Sequence, residues 1–176
     1  MGFAILSDKY YTRWCSASND GVDDQNLILV HELLQKARFE RIVFYDRETP
    51  LTRMEFMQWA RCEKKMFFIV FNSNGSPAAI AWMTGPSHTG CQSFGHFSTL
   101  GTITVDEAVE AGKQWIRFIG KLTKVKQLVG ITPCCYRHAI KFSQKLGFKP
   151  LTKLKQSVYC LGKERDALLS ICDTEG

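Results

Sequence analysis

The sequence predicts a mixed domain of α/β (α+β) class, and three observations predict it. Leu128–Phe148, LVGITPCCYRHAIKFSQKLGF, reads as a buried strand, a proline turn and a helix that stops on Leu146-Gly147-Phe148. Two T-x-x-E capping boxes, Thr52 with Glu55 and Thr104 with Glu107, open helices. Between them Asn74-Gly75 joins two β-rich runs, a strong short-range hairpin signal. The 176 residues and 45% hydrophobic content suit one domain over 1–176 with its own core.

The elements follow in order. Asp23 and Asp24 precede Leu27-Ile28-Leu29-Val30, which predicts a helix from about Asp24 to Lys36. The run Ile42–Tyr45 and a turn around Pro50 come next. The Thr52 box opens a helix to about Cys62, with Phe56 and Trp59 on one face. Met66–Phe71 and Ala78–Met83 are the hairpin strands, Gly85–Gly90 a loop and Ser93–Leu100 a further strand. The Thr104 box opens a helix to about Gly120, with Val105, Ala108, Val109, Gly112, Ile116 and Ile119 on its apolar face. Lys126–Thr132 is a strand ended by Pro133. Cys135–Leu146 is a helix, with Ala139, Phe142 and Leu146 inward and Gly147 as its left-handed cap. Gln156–Leu161 is the last strand, pairing with Leu151–Leu154, and the polar tail from Lys163 is expected to fray. The strand-helix-strand unit must cross over right-handed, so its two strands run parallel.

Composition narrows the partners. A net charge of +6 favours something anionic: a nucleotide cofactor, nucleic acid or an acidic protein. The charges are scattered, which argues against a dedicated nucleic-acid binder. Seven cysteines without a C-x-x-C pair point to free thiols in a reducing, cytoplasmic setting and to no metal site. Cys134 and Cys135 read as small buried thiols. No apolar run approaches the ~20 residues of a membrane span.

From about Phe39 to Lys163, this element order and the Leu128–Phe148 stretch resemble the GNAT superfamily of acyl-CoA-dependent N-acyltransferases. Within it, AVEAGKQWIRF followed by LVGITPCCYRHAIKFSQKLGF looks most like phage-encoded GNAT-like proteins, some of them assembly factors. The resemblance implies a largely antiparallel sheet flanked by helices, with a splayed parallel central pair, Ser93–Leu100 and Lys126–Thr132. It implies acetyl-CoA as co-substrate, with pantetheine between the splayed strands. The pyrophosphate would sit at the turn Leu100, Gly101, Thr102, Ile103 and Thr104, and further contacts would come from Ile131, Thr132, Tyr136 and Ser143. It also implies an amine acceptor, on a small molecule or a protein, and a homodimer through the last strands.

The residues offer candidates for that chemistry. His96 lies on the first splayed strand, and its ordinary pKa of about 6.5 suits a base. Tyr136 could serve the departing thiolate in place of Ser143, which is shorter and a poor acid. His88 belongs to a loop, His138 to a solvated helix face and His31 to the first helix. Trp82, Phe94, Phe97 and Tyr159 could line the pocket. Arg117, Lys121, Lys124 and Lys126 form a basic cluster able to meet a 3′-phosphate. Against these stand Asp106 and Glu107, whose charge in the first helical turn would repel a phosphate. Three readings follow: an N-acetyltransferase, a non-catalytic GNAT-like assembly or interaction protein, and a small basic nucleic-acid binder.

Overall fold

The computed structural model describes residues 2–15, 21–39, 43–44, 47, 49–86 and 91–175, without the side chains of 2, 3 and 21–23. Among the described residues eight strands form one sheet: β1 (Gly2–Ile5), β2 (Tyr10–Cys15), β3 (Lys65–Asn72), β4 (Pro77–Pro86), β5 (Gln92–Thr99), β6 (Gln127–Pro133), β7 (Lys149–Cys160) and β8 (Lys163–Asp173). Their spatial order is β1-β2-β3-β4-β5-β6-β8-β7. Every neighbouring pair is antiparallel except β5 and β6. Among the described residues four helices flank the sheet: α1 (Gly21–Ala37), α2 (Arg53–Ala60), α3 (Val105–Leu122) and α4 (Arg137–Leu146).

Strand alternation sorts the core into two layers. Phe68, Val70, Ala79, Ala81 and Met83 pack against Trp115, Ile116 and Ile119 of α3. Their neighbours Phe67, Ile69, Phe71, Ile80 and Trp82 pack against Leu27, Val30 and Leu34 of α1 and Phe56 of α2. Both capping boxes form. The Thr52 and Thr104 side chains each accept from the amide three residues on, and Glu55 and Glu107 each accept from the cap amide. Gly112 lets Leu146 of α4 lie against α3, since a Cβ there would fall 2.5 Å from a Leu146 methyl. Gly147 closes α4 at φ 107°.

Several expectations need correction. The chain from Lys163 does not fray: it is β8, inserted between β6 and β7, with Ala167 and Ser170 buried. The last two predicted strands are one strand, β7, irregular between Leu154 and Val158. Two strands upstream of α1, β1 and β2, extend the sheet. Within the run left unassigned, Val43 closes a helical turn, its N–H donating to Phe39 O at 2.9 Å. Ile42 and Tyr45 lie outside the described residues. Gly85 and Pro86 belong to β4, and the rest of that expected loop, with His88, lies outside the described residues. α4 starts at Arg137, because Cys134 and Cys135 form a turn after Pro133. Val105 faces solvent, while Ala111 and Trp115 complete the buried face of α3.

Candidate active site

β5 and β6 pair over only three residues each: Gln92 with Gln127, Ser93 with Leu128 and Phe94 with Val129. Beyond Phe94 and Val129 they separate. β5 continues along β4 to Thr99, and β6 continues along β8 to Pro133, so their facing edges carry no ladder bonds to each other. Two glycines stand where the fork opens. A Cβ on Gly95 would sit 3.1 Å from Leu128, and one on Gly130 would meet Ser170 Oγ at 3.1 Å and the Phe148 ring at 3.2 Å. Leu128 packs where a Gly95 side chain would lie, and Phe148 where a Gly130 side chain would, so both glycines admit close packing on the α3/α4 face beside the fork.

A cavity of about 140 Å³ lies in this fork. That is too small for a rounded ligand but suits a thin arm threaded between strands. His96, Ile131, Thr132, Tyr136 and Ser143 all line it. The His96 ring stacks on Trp82 at 4.6 Å and 6°, on the sheet face that carries α1 and α2. Phe97, its neighbour, points to the other face and stacks on Phe142 of α4 at 6.1 Å. The lining is therefore mixed: Phe97, Phe142, Leu146 and Phe148 are apolar, while Ser98, Thr132, Tyr136, Ser143 and Ser170 add polar groups beside His96. Ser143 Oγ–H donates to Ile140 O at 2.9 Å. Tyr136 hydrogen-bonds the Cys160 thiol.

Leu100–Thr104 does not share that cavity's lining. Leu100 is buried, with its N–H donating to Ala78 O at 3.0 Å. Gly101 has φ 76° and donates its N–H to Thr99 Oγ1 at 3.0 Å. Thr102 Oγ1–H donates to Pro77 O at 2.9 Å, and Ile103 is half-buried. The Thr104 N–H is taken by Glu107 Oε2 at 2.8 Å. Bonds from the Thr104 backbone, then from its side chain, hold the Glu107 carboxyl below its usual range. The start of α3 thus carries its own anion. Lys145 lies 3.4 Å from Asp106, and Lys9 lies 3.4 Å from Glu110.

The other candidates separate cleanly. His31 is buried, its Nε2 2.9 Å from Leu51 O, and His138 is exposed on α4. Trp82 and Phe97 line the cavity, whereas Phe94 and Tyr159 are exposed. Cys135 is exposed and Cys134 half-buried, contrary to the buried pair expected, and neither lines the cavity. Arg117 and Lys121 lie toward the C-terminal end of α3, Lys121 about 24 Å from Val105 at 1.5 Å per residue, and Lys124 and Lys126 follow the helix, so the cluster is remote from the Leu100–Thr104 turn. Sequence reasoning missed Trp115 and Ser170. Trp115 is buried, lines the cavity, and its indole N–H has no acceptor. Its signal was its place beside Ile116 on the apolar face of α3. No group of three or more potential metal-binding side chains occurs among the described residues.

No family profile matches this chain, and no curated protein matches it in sequence. Solved structures do match. A ribosomal L7/L12 alpha-N-protein acetyltransferase, RimL, in complex with coenzyme A superposes with a TM-score of 0.75 at 9% identity, covering 98% of each chain. The ribosomal-protein-S5-alanine acetyltransferase from Vibrio fischeri gives 0.72 at 11%, covering 99% of this chain and 97% of that one. A microcin C7 self-immunity acetyltransferase, MccE, in complex with acetyl-CoA and AMP gives 0.73 at 12%, covering 96% and 94%. The likeness runs through β1, β2 and β8 as well as the segment whose sequence suggested it. With its forked parallel pair, its helices on both faces and these neighbours, the chain has the GNAT fold.

Proposed function

We propose that this protein is an acetyl-CoA-dependent N-acetyltransferase acting on an amine of a small molecule or a protein. The observation that carries the reading is the fork: two strand edges without ladder partners, facing each other across a narrow cavity with His96 on its wall. Buried backbone N–H and C=O groups require partners, and an extended pantetheine arm offers amides at matching intervals. RimL and MccE, which share the fold, are described with coenzyme A and acetyl-CoA respectively.

In this reading the amine attacks the thioester carbonyl, and His96 takes the proton that the nitrogen must lose. A β5 amide at the fork polarises the carbonyl. Both candidate wall hydroxyls are already engaged, Ser143 with Ile140 O and Tyr136 with the Cys160 thiol, and Tyr136, whose phenol is much the stronger acid, takes the role of protonating the departing sulfur. Leu100–Thr104 is the turn for the pyrophosphate, reached past Gly101.

A second reading keeps the fold without the transfer: an interaction module. The self-filled capping box at Thr104 and Glu107 favours it, because the helix start already holds a carboxylate where a phosphate would go. Titration calorimetry and thermal melting with millimolar acetyl-CoA decide between them. The transferase reading expects saturable binding and a raised melting temperature, both lost in Thr132→Trp, which fills the fork. Wild-type protein that neither binds nor shifts would sink this reading in favour of the second.

A further inference from the structure

Two sulfurs outside the proposed reaction stand close together. Cys135 Sγ and Cys160 Sγ are 3.7 Å apart, and neither cysteine is in a disulfide. The two thiols differ in access. Cys135 is exposed in the turn between β6 and α4, while Cys160, the last residue of β7, is buried. They also differ in freedom. Cys160 is held in the sheet opposite Lys163 of β8. Cys134 is anchored by its N–H to Asp166 O at 2.8 Å, but Cys135 is followed directly by Tyr136, the N-cap of α4. Tyr136 links this pair to the cavity: it lines the fork and hydrogen-bonds Cys160.

We propose that Cys135 is a modification site for small disulfides, that Cys160 is its resolving thiol, and that the bond they form disables the Tyr136 wall of the cavity. The steps balance. The Cys135 thiolate attacks a low-molecular-weight disulfide such as oxidised glutathione, forming a mixed disulfide and expelling one glutathione thiolate. Cys160 then attacks the Cys135 sulfur, its proton passing to solvent, and expels the second glutathione. The protein gives up two electrons and two protons, and one glutathione disulfide becomes two thiols. Burial pushes the Cys160 thiol up, so it stays unreactive toward solvent until a disulfide is presented beside it. Closing 3.7 Å to a bond of about 2.05 Å requires an approach of roughly 1.6 Å. The sheet fixes Cys160, so Cys135 makes the move and takes Tyr136 with it. The same closure removes the thiol to which Tyr136 is bonded. In a glutathione-buffered compartment such a bond is transient and reports on redox poise.

The sulfur chemistry stands on geometry alone; its effect on acetyl-CoA rests on the acetyltransferase reading. The experiment treats the full-length protein with oxidised glutathione, then maps disulfides by peptide mass spectrometry and follows amide exchange and acetyl-CoA binding. The expected result is a Cys135–Cys160 link, with two of the seven thiols lost and recovered on reduction. Amide exchange across Tyr136–Lys141 is expected to quicken, and acetyl-CoA affinity to fall about tenfold. By linkage, saturating acetyl-CoA makes the disulfide easier to reduce by about 30 mV. Cys135→Ser and Cys160→Ser must abolish the link, and Cys134→Ser must keep it. A link through Cys134, no link at all, or a link that leaves exchange over Tyr136–Lys141 unchanged overturns the proposal. Reduced protein that fails to bind acetyl-CoA defeats the acetyltransferase reading instead, and the mapping and exchange results still decide the proposal.

Discussion

The two ends of the β5–β6 pair use the same backbone for opposite purposes. At the paired end, Gln92–Phe94 and Gln127–Val129 make ordinary parallel contacts, and side chains carry the link across three strands: Gln92 Nε2–H donates to Gln127 Oε1 at 2.9 Å, and Gln127 Nε2–H to Asp173 Oδ1 of β8 at 3.0 Å. At the open end, from Gly95 and Gly130 onward, the strands part and face each other with their ladder bonds unmade. A sheet normally treats unpaired edges as a liability. Here the liability is internal, covered by α3 and α4, with Leu128 and Phe148 packed where Gly95 and Gly130 carry no side chain. A site can therefore be made by withholding pairing rather than by adding groups.

Breaking the open end has the largest expected effect. His96→Ala should lower the acetyl transfer rate about 10²–10⁴-fold with acetyl-CoA affinity little changed, read by steady-state kinetics beside calorimetry. Equal losses in both would mean that His96 holds the cofactor instead. Next comes the packing beside the fork. Leu128→Ala should cost about 2–5 kcal/mol in urea unfolding, because Leu128 is fully buried where the strands divide. A loss below about 1 kcal/mol would mean that the fork does not depend on it.

The two capping boxes sharpen the contrast with smaller effects. Glu107→Gln should strengthen acetyl-CoA binding a few-fold by removing a charge from the proposed phosphate turn. Glu55→Gln, in the same motif on α2, should leave binding unchanged. Equal responses would show that the turn before α3 does not meet the phosphates. Both carboxyls are held below their usual range by the cap backbone, so each stabilises its helix at neutral pH. That contribution is lost as pH falls through their folded values, and unfolding midpoints of the two Gln variants should show a flatter acid limb.

The smallest effect lies at Lys65, away from the fork. Burial lowers its pKa to about 8 from 10.5, and its ammonium sits 3.7 Å over the Trp59 ring. The folded state binds fewer protons than the unfolded one between those values, so this residue makes stability rise from about pH 8 to 10.5. Lys65→Met should flatten that rise in unfolding measurements, and an unaltered slope would refute the burial argument.

What the sequence disclosed was what it encodes locally. The Asn74-Gly75 turn, both capping boxes and the Gly147 stop depend on a few consecutive residues, and all of them formed where their spacing placed them. β1, β2 and β8 escaped notice because their reasons are distant. Thr12 is a strand residue through its partner Val70, and Ala167 through Pro133. KERDALLSICD is too polar at its start to announce a strand. The site divides in the same way. His96 was visible as a histidine on the first splayed strand, while Ser170 lay in a segment read as loose and Trp115 looked like ordinary core. No short motif records a separation between strands: the splayed pair was expected only through the family resemblance, and the register of β5 and β6 bears it out.

The insertion of β8 between β6 and β7 also sets a timetable. β6 has three partners on β5 and a full-length partner only in β8, so the open wall of the fork cannot be completed until the chain has been synthesised through Asp173. A nascent chain that has finished both α3 and α4 still lacks the edge that holds Gly130–Pro133 in place. During synthesis the half-built sheet presents that edge to whatever is nearby, and long-range closure of this kind is slow. Any cleavage that removed the segment after Gly162 would return the molecule to that state: most of its residues present, its cavity gone and an adhesive strand edge exposed.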